Sequence, residues 1–150
     1  MKHYLFTRPW GIGNMLLATP AIKALRLHDP YCKISVLCED RGYEVLRGWD
    51  VVDNFIVFNE NNMRRVMQLL RPEYDMIIHC QPSHGLMSLT HHAATKALGS
   101  TTGRVTDCHE VEANMYLVRH LGYNGPTPPL TIFINPCDHK AEILFYNQNS

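Results

Sequence analysis

Four short runs set the strongest limit on how this chain can fold: residues 4–7 (YLFT), 33–38 (KISVLC), 54–58 (NFIVF) and 74–80 (YDMIIHC). Most are apolar nearly from end to end rather than alternating, the signature of strands covered on both faces. Segments with helical spacing lie between them, at 14–28, 43–47 and 63–70. In the first of these, Leu16, Leu17, Ala21, Leu25 and Leu27 supply the apolar face. Pro20 should kink it, because proline lacks the N–H that a helix interior needs. Asp29-Pro30 ends it. The β-α alternation predicts an α/β, Rossmann-like parallel sheet with helices on both faces.

The pattern continues with a helix over 86–98, ended by Gly99, and a short strand over 102–105. A helix over 110–121 follows, closed by Gly122. Pro126-Thr127-Pro128-Pro129 reads as a rigid connector, and residues 130–134 as a last edge strand. Asn135 can cap a final helix with Pro136 at its first position, running toward Tyr146. The expected organisation is one Rossmann-like domain over 1–134 and a helix or tail over 135–150.

Charge narrows the partners. Fourteen basic residues balance fourteen acidic ones, which argues against a nucleic-acid grip built on bulk positive charge. No run of about 18 apolar residues is present, and the N-terminus lacks the pattern of a signal peptide. At most peripheral membrane contact is expected. The five cysteines are odd in number and contain no CxxC pair, so buried, reduced thiols in a cytoplasmic protein are expected.

Between the first strand and its helix lies Arg8-Pro9-Trp10-Gly11-Ile12-Gly13-Asn14. Gly11 and Gly13 permit a tight turn and a close approach of backbone to ligand. The helix directs free N–H groups and its positive dipole end into that turn. Such a turn is either an anion or sugar site at the sheet edge or a plain connection. Leu16 fills the third glycine position of GxGxxG, so a dinucleotide site does not follow. Arg8 can meet an anionic group such as phosphate or carboxylate, or it is an exposed or carboxylate-paired arginine. Thr19 is expected to bond back to a helix carbonyl beside Pro20.

The segment 79–85 (HCQPSHG) sits where the fourth strand ends, so Gln81, Ser83 and His84 can line a cleft there. His84 can also titrate near the pH that a base needs. Asp75 reads as structural. His91 and His92 diverge on a helix and do not make a metal pair, and no metal or cofactor is expected. Cys108-His109-Glu110 reads as helix-start chemistry, with Glu110 and Glu112 favouring the dipole. Met63, Met67, Met76 and Met87 read as core filler.

Six stretches, RPWGIGNMLLATPAIKAL, DPYCKISVLCE, VVDNFIVFN, YDMIIHCQPSHG, KALGSTTGRV and HEVEANMYLVRHLGY, resemble the N-terminal domain of glycosyltransferase family 9, the lipopolysaccharide heptosyltransferases. They appear in the family's order over residues 4–134. The resemblance implies the acceptor half of a two-domain, GT-B type enzyme that binds a glycan or lipid-linked sugar. A C-terminal half would bind the nucleotide-sugar donor, typically ADP-heptose, and transfer would be inverting and metal-free. Arg8, Gly11, Gly13, Gln81, Ser83 and His84 fall on the acceptor side. Asn14 stands where the family has an aspartate general base, and an amide has no basic lone pair near neutral pH.

Two functions follow as expectations. The first is a glycosyltransferase domain whose donor side comes from a donor-domain partner chain, a homo-oligomer or a missing domain, with residues 135–150 a helix or tail where a donor domain would otherwise begin. The second is a glycan-binding or assembly module that has kept the fold and lost the chemistry.

Overall fold

A computed structural model describes residues 1–8, 10–70, 73–80, 90, 93–94, 96–99 and 108–133. Its elements are β1 (His3–Thr7), α1 (Ile12–His28), β2 (Lys33–Glu39), α2 (Asp40–Glu44), β3 (Asn54–Phe58), α3 (Met63–Leu69), β4 (Met76–His79), β5 (Ala97–Gly99) and α4 (Glu110–His120). The strands form one sheet in the order β3-β2-β1-β4-β5. Every pairing is parallel, as the apolar runs predict.

Successive strand side chains face opposite ways, so each run feeds two cores. Tyr4, Phe6, Ile34, Val36, Cys38 and Ile78 pack with α1 and α4 on one face. Leu5, Leu37, Phe58 and Ile77 pack with Leu70, Tyr74 and Ala93 on the other, with Met63 and Val66 of α3 against them. Helices cover both faces, and the sheet is Rossmann-like.

Helix α1 runs unbroken through Pro20. Proline cannot donate to the Leu16 carbonyl four residues back. Thr19 Oγ1 donates to that carbonyl instead, at 2.7 Å, as expected of Thr19. From α4, the buried Asn114 donates Nδ2–H to Leu17 O at 3.0 Å. Two polar side chains thus satisfy the backbone of the central helix, which apolar burial alone would not do. At its other end Arg26 donates to Val51 O and to Asp53 Oδ2, and Asp53 Oδ2 also accepts from Ile34 N. Burial alone would raise the Asp53 pKa, but these hydrogen bonds and the Arg26 charge leave it lowered.

Four sequence expectations need correction. Residues 97–99 are strand β5 and not the end of a helix. The short run Ala-Leu fits either period, and pairing with Ile77–His79 decides it. Residues 130–133 form no strand. Two prolines precede them, and their N–H groups turn to the α1–α2 layer: Thr131 N to Thr19 Oγ1 at 3.0 Å and Phe133 N to Val45 O at 3.1 Å. Helix α2 begins at Asp40, earlier than 43, directly off β2. Leu27 is exposed, and Met15, Ala18, Ile22 and Ala24 are core residues of α1 absent from the apolar face read from the sequence. Residues 102–105 and 134–150 lie outside the described residues.

Cys32, Cys38 and Cys80 are buried free thiols. Burial pushes their pKa values up to about 11, 12 and 12, which makes them inert core groups.

Candidate functional site

Strand order reverses direction at β1: the chain leaves it toward β2 and β3, then crosses back to β4 and β5. The carboxyl ends of β1 and β4, where the order reverses, are the place at which open α/β sheets hold ligands. Arg8 and the glycine turn stand there, after β1, with Cys80 after β4.

Gly11 is the N-cap of α1, at φ +83° and ψ 139°. A side chain is strained in that region, so the turn needs glycine here. Gly13 differs from the sequence expectation. It lies inside the helix, and a Cβ added to it would meet nothing within 4 Å. Gly13 therefore marks open space over the first turn and does not make the bend. The N-cap residue Gly11 has no side chain to cap α1, and no acidic residue lies in the first turn of the helix. Asn14 is half-buried there, with its Nδ2 3.4 Å from where a Gly11 Cβ would be.

Arg8 points inward. It is 2% exposed. Its Nε donates to Asn14 O at 2.9 Å and its Nη1 to Cys80 O at 2.6 Å. The same Nη1 pairs with Glu110 Oε1 at 2.9 Å. One guanidinium thus joins the start of α1, the end of β4 and the start of α4. A planar group with several fixed donors suits this task, and lysine would not. The exposed arginine that the sequence allowed is not what the fold contains: Arg8 is buried and paired with the Glu110 carboxylate.

Sequence reasoning missed Glu39. It closes β2, and its Oε1 accepts the Gly11 N–H at 2.6 Å. The available signal was an acidic residue ending a mostly apolar strand. A resident negative charge at the turn repels an anion, so the choice between anion and sugar left open by the sequence tilts toward a neutral hydroxylated ligand.

Behind the turn, Thr7 Oγ1 and His79 Nδ1 are 2.8 Å apart in the buried layer. Burial lowers the His79 pKa to about 4, so the imidazole is neutral near pH 7. Elsewhere, Asp75 Oδ2 accepts the His3 N–H at 2.7 Å on the opposite edge of the sheet, the structural role expected of it. His109 caps α4, its Nδ1 accepting Val111 N–H at 3.2 Å. Gln81, Ser83 and His84, and the pair His91-His92, lie outside the described residues. Among the described residues no cluster of three or more metal-ligating side chains occurs. No helix among them is long and apolar enough to cross a membrane.

No protein-family model matches the sequence, and a comparison with curated proteins finds no match. Solved structures do match. A family 9 glycosyl transferase from Veillonella parvula superposes with a TM-score of 0.85 at 17% identity, over 99% of this chain and 50% of that one. The Escherichia coli heptosyltransferase WaaC, solved with ADP, gives 0.70 at 19% identity, over 85% and 50%. The E. coli ADP-heptose lps heptosyltransferase II gives 0.72 at 16% identity, over 97% and 50%. The chain spans about half the length of these structures, and its fold, a Rossmann-like sheet closed on both faces, is that of one half of a family 9 glycosyltransferase.

Proposed function

We propose that this chain contributes the acceptor side of sugar transfer from a nucleotide-sugar to a glycan, in the manner of a heptosyltransferase. The observation that carries the reading is the turn at the carboxyl edge: Gly11 bends the chain, Gly13 leaves the first helical turn open, and Glu39 disfavours an anion there. Likeness of fold to heptosyltransferases supports it. The acceptor would be a glycan or lipid-linked sugar of lipopolysaccharide biosynthesis. The donor site would come from a partner domain, a partner chain or a second copy. Free buried thiols fit a cytoplasmic setting.

Inverting transfer needs a base to take the proton of the acceptor hydroxyl as it attacks. Asn14 cannot do this, although it can orient a hydroxyl. Positioning both substrates supplies several kcal/mol of catalysis, and an acceptor half alone does not position the donor. Asn14 is also the observation that favours a second reading, a glycan-binding or assembly module without chemistry. The acceptor binds in the transfer reading and in the glycan-binding form of the second, and an assembly module has no need of it.

Calorimetry on the chain with core oligosaccharide fragments and with ADP-heptose tests this. Acceptor binding without donor binding is the expected result. Asn14→Asp is expected to leave the isolated chain without transfer. Turnover by the wild-type chain, or donor binding with no acceptor binding, overturns the reading.

A further inference from the structure

The glycine turn carries an aromatic ring that the fold leaves open. Trp10 is 39% exposed, whereas the other tryptophan, Trp49, is 6% exposed. The Trp10 ring is nevertheless held: it meets Phe58 edge-on, with centroids 6.5 Å apart and planes at 85°. Phe58 ends β3 and pairs in register with Glu39 at the end of β2. Glu39 in turn takes the N–H of the Trp10–Gly11 peptide at 2.6 Å. Further along the same turn Ile12 is 43% exposed, and a Cβ on Gly13 would meet nothing within 4 Å. An indole plane, a carboxylate and the Asn14 amide therefore share one crest of the sheet.

An indole buried elsewhere would be stabilised by removing its apolar area from water. Here the ring is 39% exposed and is held by its near-perpendicular contact with Phe58. The ligand that such a surface suits is amphipathic: an apolar face to lie on the ring, and hydroxyl donors at its rim to reach a carboxylate and an amide. A pyranose ring has that construction. A phosphate does not, and Glu39 would repel it.

Resting on the acceptor reading above, we propose that Trp10 is the stacking platform for the acceptor's sugar ring. Glu39 accepts a hydroxyl of that same ring through the oxygen that Gly11 does not use. Binding then buries the Trp10 face and leaves Trp49 unchanged.

Two tryptophans in opposite environments make fluorescence of the intact chain the direct test. The probes are delipidated lipopolysaccharide core oligosaccharide and, in a parallel arm, inorganic phosphate. Oligosaccharide is expected to shift the emission to the blue and to saturate, and phosphate is expected to do nothing. Calorimetry should show Trp10→Ala weakened by about tenfold and Trp10→Phe by about threefold or less, the range of one aromatic contact. Circular dichroism checks that each variant is folded, and Trp10→Phe serves if Trp10→Ala is not. Glu39→Gln should bind more weakly than wild type. Equal affinity of wild type and both Trp10 variants for the oligosaccharide overturns the platform and leaves the acceptor reading standing. No oligosaccharide binding by wild type overturns both. A shift produced equally by phosphate, or one that follows protein concentration and signals a second copy on Trp10, also overturns the platform.

Discussion

Replacing Arg8 by alanine should damage the fold before it damages any binding. The guanidinium is buried and supplies donors to Asn14 O and Cys80 O, and a charge to Glu110. A hydrogen bond to a charged group is worth about 1.5–3 kcal/mol. The Glu110 side chain is 37% exposed, so water screens that pair and it adds under about 1 kcal/mol. The losses overlap, because one group makes all three contacts, and Arg8→Ala should cost about 3–5 kcal/mol. That is a large share of the 5–15 kcal/mol typical of a domain. With a urea slope of about 2 kcal/mol/M, the unfolding midpoint should fall by about 1.5–2.5 M. Glu110→Gln keeps both carbonyl bonds and should cost only about 1 kcal/mol. Arg8→Lys should fall between, since an ammonium lacks the planar fork that serves divergent carbonyls. Urea titrations of the three variants decide it. If Arg8→Ala costs under about 1 kcal/mol yet abolishes oligosaccharide binding, the arginine serves a ligand and the structural account is wrong.

The two glycines should respond in opposite directions. Gly11→Ala forces a side chain into positive φ and should cost about 1–3 kcal/mol, whereas Gly13→Ala, in open helical backbone, should gain up to about 1 kcal/mol. Thermal midpoints moving the same way would refute that assignment. If the open space over Gly13 receives the acceptor, Gly13→Ala should bind oligosaccharide more weakly while melting higher, which paired melting and calorimetry can show. His79 sets an acid limit. Its pKa is depressed from 6.5 to about 4, so the unfolded chain binds that proton first. Stability is held above about pH 6.5 and declines as pH falls to about 4, by at most about 3 kcal/mol. Urea unfolding across that window, wild type against His79→Gln, should lose this slope in the variant; an unchanged slope refutes it.

Much of the architecture is legible in the sequence because burial on two faces leaves few ways to write a strand. KISVLC and NFIVF announce themselves by being apolar over most of their length, and their ends fall within a residue of those observed. Strand β5 is not legible. Ala97-Leu98-Gly99 is too short to show a period, and only the open edge of β4 makes it a strand. Residues 130–133 fail for the converse reason. Leu-Thr-Ile-Phe has strand composition, but two prolines and a waiting acceptor on Thr19 turn it onto the helices.

The candidate site divides along the same line. Sequence alone determined the parallel sheet, the position of the glycine turn, the amide at position 14 and the carbonyl that Thr19 satisfies beside Pro20. These depend on neighbours within a turn of helix or on the periodicity of one strand, and local spacing encodes both. Tertiary structure decided that Arg8 faces inward, that Glu39 lies against Gly11, and that Trp10 stands open over Phe58. Each of those contacts joins residues about thirty to a hundred positions apart. They exist only once the parallel order β3-β2-β1-β4-β5 brings the strand ends to one edge.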